Sequence, residues 1–325
     1  METNHEMLAK SALIGFAVGD ALGVPGEFMR PEELAEDPIT GMRGGGAHGQ
    51  EPGTWSDDTS MTLCQMVSLS LNGVDYEDLM RRFCEWLWEA KYTARGEVFD
   101  VGGTVKSALF NYSRGKAALD CGEDGEHSCG NGSLMRILPA ALYLYFRGHG
   151  TLSRRSMRTI HDLSRVTHAH PRCLMACGIY CAVVWEVLGG AELKAAVRQG
   201  VQKALEYYAE QPGFEGACED YASLSSIDTW PDSEVSGRGY VVTTLQAVLW
   251  GLATTDSYES CVLKLVNLGH DADTTAAIAG GVAGLYYGMD AIPFNWREEL
   301  AMEPELEKLA GIFAQMVTKK RVKGD

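Results

Sequence analysis

HDADTTAAIAGGVAGLYYG, residues 270–288, opens on two aspartates and two threonines, then runs into apolar residues broken by glycine. The apolar positions recur at i, i+3 and i+4 and do not alternate, so the spacing predicts a helix over 273–288. Gly280, Gly284 and Gly288 fall at every fourth position and therefore share one helix face. A glycine inside a helix costs ~1 kcal/mol against alanine, so the row needs a compensation. Close approach of a second helix would supply it, because the face carries no side-chain bulk. At the other end of the chain Gly15, Gly19 and Gly23 repeat the same spacing. Pairing the two helices would bring Asp20 and Glu27 to Asp271 and Asp273, although plain small-residue packing explains the rows equally well.

The same periodicity runs through most of the chain. Residues 5–22, 59–72, 76–91, 104–113, 133–146, 153–166, 171–189, 191–209, 240–254, 257–268, 273–288 and 303–317 each show helical apolar recurrence. Only GYVV, residues 239–242, tempts a strand reading. No repeat at a solenoid period and no domain linker is visible, which predicts an all-α fold with residues 1–325 as a single domain. The irregular stretches 29–56, 92–103, 114–132 and 210–239 are long for helix connections, and long loops in compact domains commonly carry function.

Composition narrows the function classes. A net charge of −16 over 325 residues argues against a nucleic-acid surface, which needs clustered Lys and Arg. The N-terminal METNHEMLAK is polar and acidic, unlike a signal peptide. No stretch is expected to reach the ~18 apolar residues of a membrane span, the nearest being roughly 13 residues from Ala276 to Gly288. Nine cysteines, an odd number, do not suggest a disulfide framework. Cys173, Cys177 and Cys181 line one helix face, but three ligands over two turns spread about 12 Å along the axis, too far for one zinc. A buried-core role and a reducing, cytoplasmic setting are expected.

Six short stretches bear chemistry. GTWSDDTSMTL, residues 53–63, sets Ser56, Asp57 and Asp58 at the mouth of an apolar helix, as Asp271, Asp273 and Thr274 stand at another. A helix N-terminus stabilises one carboxylate by ~0.3–1 kcal/mol but explains a second, repelling anion poorly. A hard divalent cation explains both, since Mg²⁺, Mn²⁺ and Ca²⁺ prefer oxygen ligands, and four Asp with two hydroxyls suit two ions better than one. From spacing alone the cap and the cation stay balanced. GDALGVPGEF, residues 19–28, ends a helix and presents Glu27, which is either an acid of a site or an ordinary loop acid. CGNGSLMRILP carries Gly130, Asn131, Gly132 and Ser133, and FDVGGTVKSAL carries Asp100, Gly102 and Gly103. Glycines at a helix entry let backbone N–H groups approach a phosphate, a weak signal in each alone. THAHP adds His168 and His170, either structural or ligating. Taken together, two helix entries suit cations and two suit phosphates.

In this order and spacing, GDALGVPGE, WSDDTSMTL, GNGSLMRILP and LGHDADTTAAIAGGVAGLYYG resemble the ADP-ribosylglycohydrolases, from about residue 8 to residue 290. The resemblance implies an all-α fold, a single compact orthogonal helical bundle, with two Mg²⁺ or Mn²⁺. It also implies removal of ADP-ribose from a modified acceptor, typically through the N-glycosidic bond to arginine and in another branch the O-glycosidic bond to serine. It implies Ser56, Asp57, Asp58, Asp271, Asp273 and Thr274 as metal ligands, and Glu27, Asp100 and Asp273 as catalytic candidates. Asp100, Gly102, Gly103, Gly130, Asn131, Gly132, Ser133 and His168 would line the ADP-ribose pocket. An ADP-ribosylated protein or free ADP-ribose is the implied partner, with neither nucleic acid nor membrane. Gly103 stands where the dinitrogenase-reductase branch has Asn, and His270 where several relatives have Gly, so the acceptor does not carry over from any one branch. Alternatives are a serine, nucleic-acid or small-metabolite acceptor, an HD-type phosphohydrolase built on His161-Asp162 and His270-Asp271, and a relative that binds without catalysis.

Overall fold

The computed structural model describes residues 4–319, and within them every regular element is helical, with only isolated bridges between extended residues. In chain order the α-helices are α1 Asn4–Gly23, α2 Pro31–Glu36, α3 Asp57–Asn72, α4 Tyr76–Glu89, α5 Gly103–Ser113, α6 Leu138–Phe146, α7 Arg154–Arg165 and α8 Pro171–Leu188. They continue as α9 Leu193–Ala209, α10 Glu215–Tyr221, α11 Val241–Thr254, α12 Tyr258–Val266, α13 Ala272–Tyr287, α14 Phe294–Glu299 and α15 Glu303–Thr318. All twelve expected helices are present. The three additional ones, α2, α10 and α14, are six or seven residues long, too short to show a 3.6-residue period. GYVV is no strand: Tyr240 bridges Gly130, and Val241 starts α11. α6 begins at Leu138 and not at Ser133, because Pro139 fits the first turn of a helix better than its interior; residues 132–136 form turns instead.

The glycine rows make the central contact. α1 and α13 run antiparallel, with Gly23 against Asp273, Gly19 against Ala276 and Gly15 against Gly280 and Gly284. A Cβ at any of the three α1 glycines would overlap the α13 backbone, so the helices pack main chain to main chain. Tyr258 Oη donates to Gly15 O at 2.7 Å and fastens the crossing. Gly288 is not part of this row: it ends α13 with φ +83°, and nothing lies near its missing Cβ. α15 covers α1, while α11 and α12 cover α13, and the buried apolar side chains form one continuous cluster.

Two segments contradict the expectation that none is long and apolar enough to cross a membrane. Asn4–Gly26 and Pro171–Leu188 both are, by length and composition, yet they lie 83% and 78% buried inside the fold. They are surrounded by other helices, and a helix covered all round is apolar all round. Cys173, Cys177 and Cys181 are fully buried on α8, as core residues.

Candidate active site

The α1–α13 crossing delivers the acids. Ser56 caps α3, its Oγ accepting from Asp58 N at 3.2 Å, and the helix begins at Asp57. The cap is therefore the serine and neither aspartate, which corrects the expectation that capping accounts for one of the pair. Both aspartates sit in the first turn, where the free N–H groups and dipole favour anions. Asp20, near the end of α1, accepts from Ser56 N at 2.9 Å, Thr59 N at 3.0 Å and Thr59 Oγ1 at 2.6 Å, clamping α3 to α1. Asp271 precedes α13 without capping it by side chain and accepts from Asn131 Nδ2 at 2.5 Å. Thr274 Oγ1 donates to Asp58 Oδ1 at 3.3 Å, so the two acidic clusters, distant in sequence, touch.

What these carboxylates lack is as informative. Asp58 and Asp273 are fully buried, and Asp58 Oδ2 and both oxygens of Asp273 have no hydrogen-bond partner. Carboxylate oxygens of Asp20, Asp58 and Asp273 lie within 4.8 Å of one another, as do those of Glu27, Asp271 and Asp273, with Asp273 common to both groups. Burial, then neighbouring negative charge, drives Asp57, Asp58 and Asp273 well above the ordinary carboxylate range. Burial lifts Asp20 and Asp271 to about 6, and burial together with Asp100 and Asp271 lifts Glu27 to about 10. Bare buried carboxylates need a proton or a cation. An all-oxygen donor set of this charge fits hard divalent cations.

In front of the acids opens a cavity of about 530 Å³. Glu27, Asp57, Asp100, Asp271 and Thr274 give its lining an anionic part, and Gly102, Gly103, Gly130, Asn131, Gly132 and His168 line it as well. Gly102 and Gly103 open α5 with no side-chain cap, leaving that helix end free to face a ligand. At the mouth, Phe28 is 64% exposed and adopts φ +63°, while His270 adopts φ +59°. The two left-handed residues hold each other in place: Phe28 N donates to His270 O at 2.6 Å, and His270 N to Met29 O at 2.7 Å. The His48 ring lies 5.7 Å from Phe28 and 5.1 Å from Phe99, with Nε2 2.5 Å from Glu27 Oε2.

The ADP-ribosylglycohydrolase family model matches residues 1–323. The chain belongs to the ADP-ribosylglycohydrolase family. Among relatives, the ADP-ribosyl-[dinitrogen reductase] glycohydrolase of Rhodospirillum rubrum is 34% identical over 92% of this chain and 92% of its own. The ADP-ribosylarginine hydrolase Tri1 of Pseudomonas putida is 32% identical over 93% of this chain and 76% of its own. A solved structure of an ADP-ribosylglycohydrolase-related protein complex superimposes with a TM-score of 0.77 at 31% identity, over 96% of this chain and 99% of that one.

For this glycohydrolase the structure gathers nearly every residue singled out from sequence. His170 and Ser133 are exceptions. His170 caps α8, its Nδ1 accepting from Arg172 N at 3.2 Å and its Nε2 lying 3.3 Å from Glu126 Oε1. Ser133 turns away from the cavity, accepting from Ser164 Oγ at 2.8 Å and lying 3.7 Å from Cys177 Sγ. Its stretch precedes turns and not a helix, so it is no helix-entry cradle. His161 and Asp162 also lie elsewhere, His161 against Tyr208 and Asp162 against Tyr76, which removes the first HD pair, while the second, His270-Asp271, lines the cavity. Sequence reading gave no role to His48, Phe28, Phe99 and Arg238, all of which stand in or beside the cavity. His48 sits in a glycine-rich loop with no periodicity to mark it. Asp20 carried a hint in its place beside the glycine row.

Proposed function

We propose that this glycohydrolase cleaves the N-glycosidic bond between C1″ of ADP-ribose and an arginine guanidinium, reversing mono-ADP-ribosylation. The observation that carries the reading is a cavity lined by acids, with unpaired buried carboxylates next to them, and by the glycine backbone that opens α5. The first suits cations beside the distal ribose, and the second suits the diphosphate. The mouth supports arginine as acceptor: a guanidinium can stack on the Phe28 and Phe99 rings while facing Glu27 and Asp100. Relatives named as ADP-ribosylarginine hydrolases support the same acceptor.

Ser56, Asp57, Asp58, Asp271, Asp273 and Thr274 would hold two Mg²⁺ or Mn²⁺. The chemistry supplied by such ions is a lowered pKa for water and positive charge for ribose hydroxyls. The chain's own acids then move the proton. Water adds to C1″, the C1″–N bond breaks, and the proton lost by the water is returned to the departing guanidine nitrogen. Glu27 and Asp100 are the two carriers in reach, and His48 fixes the Glu27 carboxyl by its contact at 2.5 Å. Nine free thiols and the acidic surface suit work in a reducing, cytoplasmic setting, away from nucleic acid.

The test is release of free ADP-ribose from arginine-, serine- and nucleic-acid-linked substrates, with EDTA and after Mg²⁺ or Mn²⁺ is restored. The arginine substrate is expected to turn over fastest, to stop with EDTA and to recover with metal. Turnover that ignores EDTA overturns the metal assignment, and a preference for serine overturns the acceptor. Comparing Glu27→Gln with Asp100→Asn separates the proton carriers. The true carrier loses about 10²–10⁴ in kcat with ADP-ribose affinity little changed; equal small losses would dismiss both.

A further inference from the structure

We propose that Arg136 and Thr167 are positioning residues that lock His168 as a neutral ring protonated on Nε2, giving the cavity one fixed hydrogen-bond donor for an oxygen of ADP-ribose. The ligand half of this statement rests on the reading of the cavity as an ADP-ribose site. The tautomer half rests on hydrogen-bond accounting alone.

Arg136 is fully buried, and its partners among the described residues are neutral, its Nε having none. Its guanidinium lies 4.8 Å over the Phe83 ring, donates from Nη1 to Gln65 Oε1 at 2.8 Å and from Nη2 to Thr167 Oγ1 at 2.8 Å. A guanidinium donates and never accepts, so the Thr167 hydroxyl must accept here and send its own proton elsewhere. Two acceptors stand within reach, His168 Nδ1 at 2.9 Å and Ser164 O at 3.5 Å. Ser164 O already takes Thr167 N at 3.1 Å and His168 N at 2.9 Å, which uses both its lone pairs, and 3.5 Å is long for a hydroxyl donor. The proton therefore goes to Nδ1. Nδ1 then accepts, and a neutral ring must carry its hydrogen on Nε2. Burial, reinforced by the Arg136 charge, pushes His168 down to about 3, so the ring stays neutral at neutral pH.

The hydrogen on Nε2 meets no protein acceptor among the described residues, and His168 forms part of the cavity wall. The glycines beside the ring keep that edge open. A Cβ on Gly132 would stand 2.9 Å from His168 Cε1 and 3.3 Å from Nε2, and one on Gly130 would stand 3.7 Å from Nε2. A donor held on a cavity wall with no protein acceptor calls for an acceptor on the ligand. Phosphate and ribose oxygens are the acceptors ADP-ribose offers. The relay thus turns a permanent buried charge into a fixed ring orientation and tautomer, without a charged histidine.

The test begins with the full-length protein labelled with ¹⁵N-histidine, with His168 assigned by its loss in His168→Gln. Between about pH 6 and 8, the window in which an ordinary histidine titrates, Nε2 is expected at the protonated position and Nδ1 at the unprotonated one. A protonated Nδ1 or an imidazolium overturns the relay, and this measurement needs no Thr167 variant to fold. Calorimetry with ADP-ribose then compares Thr167→Val, which removes the hydroxyl, with Thr167→Ser, which keeps it. Binding should weaken about tenfold in the first, the scale of one lost hydrogen bond, and stay within about twofold in the second. Equal weakening in both would overturn the positioning role. The expected tautomer with no ADP-ribose binding to the unsubstituted protein would overturn the cavity reading and the ligand half, while ADP-ribose binding with the opposite tautomer would overturn the relay alone.

Discussion

Asp273→Asn should abolish the response to divalent cations and cut turnover about 10³-fold, while making the metal-free protein more stable. The last expectation runs against intuition for a buried polar residue and follows from the sign of the linkage. Asp273 is fully buried with both oxygens unpaired. Burial first, then Glu27, Asp271, Asp100 and Asp20, raise it well above the usual range. A carboxyl raised in the fold holds its proton longer folded than unfolded. Its contribution is full below the unfolded pKa and is lost as pH rises through the folded one. For Asp20 and Asp271, raised from 3.8 to about 6, the loss falls between those values. At neutral pH the metal-free fold therefore bears a cost at Asp273 that a neutral amide of the same shape removes, so the metal-free Tm should rise. Thermal melts in EDTA and across a Mn²⁺ titration read both effects. A lower metal-free Tm, or a Tm that still climbs with Mn²⁺ as in the unsubstituted protein, would sink the assignment.

How far the sequence foretold this site depends on whether the signal was local. Periodicity and spacing are local, so α1, α3 and α13 were legible, and so were the acid pairs at the ends of α3 and α13. The pairing of the glycine rows was legible only as one choice of two, because a stripe of small residues does not name its partner. Contacts across the chain left no trace. Asp20 acts on Ser56 and Thr59, 36 and 39 residues away, and nothing near Asp20 in sequence encodes them. His48 meets Glu27 from a loop without pattern. Ser133 illustrates the converse error: a small polar residue after two glycines reads as ligand-facing, but Ser164 and Cys177 hold it inward. Arg136 read as part of an ordinary helix. Its importance comes from being buried among neutral partners, which only packing reveals.

Gly23→Ala is expected to destabilise the fold by about 3 kcal/mol and to lower activity at least tenfold, though it lies on no cavity wall. The backbone of Gly23 has φ −80° and ψ −32°, so alanine fits locally and on helix propensity alone would gain up to ~1 kcal/mol. The expected loss is therefore tertiary. An added Cβ would overlap the main chain of Asp273 and stand 2.8 Å from Ala272 C. Main chain has no alternative rotamer, so α1 and α13 must separate at the point that carries Asp273. Gly216→Ala in α10 is the control, since nothing lies within 4 Å of its missing Cβ, and it should match or slightly exceed the parent in Tm. An unchanged Tm in Gly23→Ala would show that the helices do not pack main chain to main chain. Metal distinguishes helix separation from purely local strain. Ions that hold the parent site stabilise it according to their affinity for the folded form. If Asp273 has moved, that affinity falls, and saturating Mg²⁺ should raise the Tm of Gly23→Ala by less than it raises the parent's.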